Sequence, residues 1–67
     1  MQKRYTVNQN NIVKDVIEQM EQESIKAVVV VDDDNRVVGL FSNGDMRSFF
    51  LRGGVLSEKI TEAMNTS

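Results

Sequence analysis

The chain has 67 residues, no Cys, His or Pro, and ten acidic against eight basic side chains, for a net charge of −2. A domain this short buries only about 60% of the surface its unfolded chain exposes, and it has neither disulfides nor zinc ligands to staple it, so packing or a partner surface must hold it together. The charges are scattered and form no basic stripe, which argues against nucleic acid as a partner.

The longest apolar run, Ala27 to Val31, is far too short to span a bilayer, and "MQKRYTVNQNN" has no apolar signal-peptide core. No membrane partner is expected, and the expected location is cytoplasmic. "QKRYTV" is short, β-prone and uncapped, which predicts an extended arm or a brief strand. Ile12, Val13, Val16, Ile17 and Met20 recur at helical spacing, with Asn10 or Asn11 as N-cap and Glu18, Gln19, Glu21 and Gln22 toward water. "IKAVVVV" is apolar on both parities, as in a strand covered on both sides, and is expected at the centre of the sheet. "DDDNR" supplies a turn, and "VVGLFS" a second strand pairing antiparallel with the first. From Ser42 the period is helical again: Met46, Phe49 and Phe50 line one side of a helix that stops at Gly53-Gly54. "SEKITEAM" reads as the start of one more capped helix. The class is α/β, a single domain over residues 1–67 without repeats or linkers.

Without His or Cys, Ser42 and Ser57 have no imidazole to activate them as nucleophiles, and no Lys neighbours either as an obvious base, which argues against catalysis. Asp32, Asp33 and Asp34 begin like a calcium loop, but Arg36 and Val37 stand at its fifth and sixth positions, so the run reads as a solvated turn and not as a metal site. The informative stretch is "GLFSNGDMR". Ser42-x-x-Asp45 at a strand-to-helix turn is a variant capping box. The same residues also suit a nucleotide: Gly44 leaves the first-turn amides open to an anion, Ser42 can donate to phosphate, and Asp45 can accept from a ribose diol.

The order helix, apolar strand, acidic turn, Gly39-Leu40-Phe41-Ser42-Asn43-Gly44-Asp45, helix resembles a cystathionine-β-synthase (CBS) domain repeat over essentially the whole chain. Members of that family often carry Pro in the apolar strand and after the final Met, and this chain has none. The resemblance implies an adenine nucleotide as regulatory ligand: phosphate at Ser42, ribose at Asp45, Asn43 and Gly44 between them, and adenine between Tyr5, Thr6, Val7 and the strand start at Ala27 and Val28. It further implies a second CBS repeat as partner, since the family works in tandem pairs with the clefts between repeats. One repeat is half a module, supplied by the missing tandem repeat or by a homodimer. "SNGDMRSFFLRGGVLSEKITEAMN" is similar to repeats attached to sugar-nucleotide transferases and arabinose-5-phosphate isomerases, so an attached catalytic domain is implied, with no required cofactor in the repeat itself. The alternative is a structural dimerisation repeat in which Ser42 and Asp45 only cap a helix.

Overall fold

The computed structural model describes residues 5–66. Strand β1 (Thr6–Asn8) leads to helix α1 (Val13–Glu23), strands β2 (Ala27–Val31) and β3 (Val37–Ser42), helix α2 (Asn43–Leu51) and a 3-10 turn at Ile60–Glu62. The sheet order is β1-β2-β3: β2 is central, parallel to β1 and antiparallel to β3. The brief strand expected from the arm is present; Gln2, Lys3 and Arg4, also in that expectation, lie outside the described residues.

Cross-strand partners share a face of the sheet. Val7, Val28, Val30 and Phe41 fall on one face and join Val13, Val16 and Met20 of α1, Phe49 of α2, Ile60 and Ala63 in a single buried cluster. Both helices therefore cover the same side, and β2 is not covered on both faces as its pattern predicts. On the other face Val29 and Val31 are half-buried and Leu40 is 51% exposed, so that face is open in a single chain. Phe50 also departs from expectation: Phe49 takes the core side of α2, and Phe50 points to solvent. Of the polar α1 residues, Gln19 is half-buried and donates to the Thr6 carbonyl at 3.3 Å.

Neither Asn10 nor Asn11 caps α1. The N-cap is Ile12, without a side-chain hydrogen bond. The first α1 amides are satisfied from far along the chain, Val13 by the Glu58 carbonyl (2.8 Å) and Lys14 by that of Leu56 (3.0 Å). These carbonyls are then lost to any helix of their own, and Lys59 is held extended opposite Ile12. That is why "SEKITEAM" forms one 3-10 turn in place of the expected helix.

Both helices close with the same six-to-one and five-to-two hydrogen-bond pair. At α1 these run from Ile25 to Met20 and from Ser24 to Glu21; at α2 they run from Gly54 to Phe49 and from Gly53 to Phe50. The left-handed residue is Gly53 (φ 92) in α2 but Ser24 (φ 56) in α1. Replacing Ser24 with Gly removes the Cβ penalty of this conformation, partly offset by a freer unfolded chain. It is expected to raise stability by about 0.5–1 kcal/mol in a urea melt.

Candidate functional site

The β2–β3 register sets Ala27 opposite Ser42, so the end of β3 lies beside the start of β2. Because β1 runs parallel to β2, with the Val29 amide donating to the Tyr5 carbonyl at 2.7 Å, Tyr5 and Thr6 come to the same end. Thr6, Ala27 and Ser42 all fall on the open face of the sheet. Tyr5 and Thr6 are exposed, whereas the side chains of Val7 and Val28 are buried in the core, so these two present only backbone at the surface.

At the start of α2 the capping box is complete. Ser42 Oγ accepts from the Asp45 amide (3.3 Å), and Asp45 Oδ2 accepts from the Ser42 amide (2.9 Å) and from the Ser42 hydroxyl (2.9 Å). The Asn43 amide donates to the Lys26 carbonyl (3.1 Å), a tie between α2 and the residue before β2 for which the sequence carries no signal. With Asn43 and Asp45 supplied, the Gly44 amide has no acceptor among the described residues, and a Cβ on Gly44 would meet only Ser42 Oγ, at 3.7 Å. Asp45 Oδ1 likewise receives no hydrogen bond among the described residues. The site thus offers one free amide and one free carboxylate oxygen side by side, suited to an anion and to a hydroxyl donor respectively.

The acidic turn is arranged differently. Asp32 Oδ1 accepts from the Asp34 and Arg36 amides (2.9 Å each), and Asp33 Oδ1 accepts from Asn8 Nδ2 (3.1 Å). Asp32 serves the hairpin and Asp33 ties it to the end of β1, and no metal-holding cluster of acidic residues exists among the described residues.

The family model for the CBS domain matches residues 1–52. The chain belongs to the CBS domain family. This CBS repeat is 33% identical over 54 residues to arabinose 5-phosphate isomerase GutQ of Shigella flexneri, covering 81% of this chain and 17% of the isomerase. It is 35% identical over 52 residues to GutQ of Escherichia coli, covering 78% of this chain and 16% of the isomerase. Among solved structures it superposes on the CBS-domain containing protein ATU1752 from Agrobacterium tumefaciens with a TM-score of 0.88 at 26% identity, over 96% of this chain and 49% of that one. A CBS domain protein from Pyrobaculum aerophilum, complexed with AMP, gives 0.83 at 15% identity over 98% of this chain and 52% of that one. The chain thus spans about a sixth of the isomerases and half of these solved chains, as one repeat does. The isomerases are one of the two kinds of protein whose repeats the stretch from Ser42 to Asn65 resembles.

Proposed function

We propose that this repeat is a regulatory module that binds an adenine nucleotide at the interface of paired CBS repeats and adjusts an attached enzyme. Phosphate lies at Ser42, Asn43 and the Gly44 amide, the ribose diol at Asp45, and the base against Tyr5, Thr6 and Val7 and the start of β2 at Ala27 and Val28. The observation that carries this reading is the free Gly44 amide beside the free Asp45 Oδ1, at the end of the open sheet face where β1 and β2 begin. The AMP held by the Pyrobaculum protein of the same fold supports it. The open face, with Leu40 and the half-buried Val29, supports a second repeat as partner, in tandem or as a homodimer. The GutQ relatives favour a sugar-phosphate isomerase as the attached enzyme over a sugar-nucleotide transferase; a cytoplasmic location is part of the same proposal. Control of that enzyme requires the nucleotide to bind one arrangement of the pair more tightly than another.

Asp45→Asn tests the assignment. Ser42 remains the N-cap and an Asn at position 45 can still accept from its amide, so stability should change by no more than about 1 kcal/mol, whereas AMP, ADP or ATP should bind about tenfold more weakly, a loss of about 1.4 kcal/mol. The measurement is calorimetry at a concentration where light scattering reports a dimer. The complete capping box favours a second reading, a structural dimerisation repeat. That reading stands if the dimer binds no adenine nucleotide.

A further inference from the structure

Gly39 is buried on the helix side of β3, opposite Val30, and the C-terminal segment docks where its side chain is missing. A Cβ there would stand 2.6 Å from Met64 Sδ, 3.0 Å from Met64 Cγ and 3.2 Å from the Asn65 carbonyl oxygen. The Met64 thioether thus fills the notch that the glycine leaves. One residue further on, Asn65 and Leu40 exchange two backbone hydrogen bonds, from the Leu40 amide (2.9 Å) and from the Asn65 amide (2.7 Å), which hold the segment on the edge of β3. Met64 itself is half-buried, in contact with both the core cluster and solvent.

We propose that Met64 is an oxidation site whose modification by a hydroperoxide unlatches the C-terminal segment. The sulfur lone pair attacks the terminal oxygen of the peroxide, the S–O bond forms as the O–O bond breaks, and the proton of the transferred oxygen ends on the leaving oxygen. The thioether is oxidised to a sulfoxide and the peroxide is reduced to water or an alcohol. The product carries a polar oxygen on an atom seated against buried backbone, so the side chain has to leave the notch to hydrate it. Residues 60–65 lift together, because the Ala63 and Met64 amides both donate to the Ile60 carbonyl (3.0 and 2.9 Å). The other described methionines lack this latch. Met20 is 4% exposed and shielded. Met46 is half-buried but lines an open cavity of about 340 Å³ between α1 and α2, where an added oxygen has space and water.

The test is hydrogen peroxide treatment of the protein, with peptide mass mapping to place each added oxygen and limited trypsin digestion to read the latch. Trypsin cuts after Lys59, which is held extended opposite Ile12 with the Ile60 amide on the Asn11 carbonyl (2.8 Å), so cleavage there requires the segment to lift. Cleavage after Arg36, in the exposed acidic hairpin, is the reference. Oxidation should raise the rate after Lys59 by about tenfold and leave that after Arg36 unchanged, since cleavage follows the population of the open form. Met64→Leu, close in volume and without sulfur, should keep the unoxidised rate after peroxide, and Met46→Leu should respond as the wild type does. Met64→Gln, polar as the sulfoxide is, should be cut fast without peroxide. An unchanged rate after Lys59 with Met64 fully oxidised overturns the proposal. So does an equal rise at Lys59 and Arg36, which reports global unfolding, or a Met64 left unmodified while Met46 takes up oxygen.

Discussion

Ile60→Ala is expected to lower the stability of the repeat by about 2–5 kcal/mol, the range for removing a large aliphatic side chain from a core that only partly collapses. Ile60 has no exposed surface and packs with Val13, Val16 and Phe49, although it lies beyond the residues matched by the family model. Its amide donates to the Asn11 carbonyl (2.8 Å), and the Glu58 and Leu56 carbonyls just before it serve the first amides of α1. Loss of this anchor therefore frees the groups that start α1 as well as opening a cavity. Urea denaturation followed by circular dichroism measures the cost, with Leu51→Ala, at a side chain 81% exposed, expected within about 0.5 kcal/mol of wild type. A loss below 1 kcal/mol at Ile60 would mean that the C-terminal segment does not complete the core.

Gly54→Ala is expected to cost about 1–3 kcal/mol, as overpacking does in a core that is already filled. A Cβ there would stand 2.4 Å from Cε1 and Cζ of Phe49. That ring is 2% exposed, belongs to the buried cluster and has the Arg52 guanidinium 5.5 Å from its centre, so room for a Cβ comes only by displacing a packed side chain. Gly53, one residue earlier, is needed for another reason. Its φ of 92 lies in the region that side chains avoid, yet nothing stands within 4 Å of where a Cβ would be. Gly53→Ala should then cost only about 1 kcal/mol of backbone strain. A double substitution at Phe49 separates the two: Phe49→Leu should relieve Gly54→Ala and leave Gly53→Ala unchanged, as a double-mutant cycle by thermal melting would show.

The candidate site was legible to the extent that its groups are close in sequence. Ser42 and Asp45 are three residues apart, and the capping box they form is dictated by the strand-to-helix turn itself. The role of Gly44 was visible as a missing side chain. What the spacing could not carry is which groups stay free. That depends on Lys26, which takes the Asn43 amide through its carbonyl, and backbone carbonyls leave no trace in residue type. Val7 and Val28 sit where the resemblance implies contact with the base, but strand parity turns their side chains into the core.

The sequence by itself determined the α/β class, the antiparallel pair with the apolar strand central, the acidic hairpin, the two helices and the cap at Ser42, and left the N-terminal stretch open between an arm and a strand. These follow from periodicity, turn residues and hydrogen bonds between neighbours, which act over a few residues. Only the tertiary structure decided where α1 begins, why "SEKITEAM" is a single 3-10 turn, and which face of the sheet is left open. The first two come from one competition: the Leu56 and Glu58 carbonyls either continue their own helix or cap α1, and packing of Ile60 and Ala63 into the core brings them to α1. The open face has the same kind of cause. Strand β2 is apolar on both parities, but α1 and α2 both return to one side, and the second side waits for surface that this repeat does not contain.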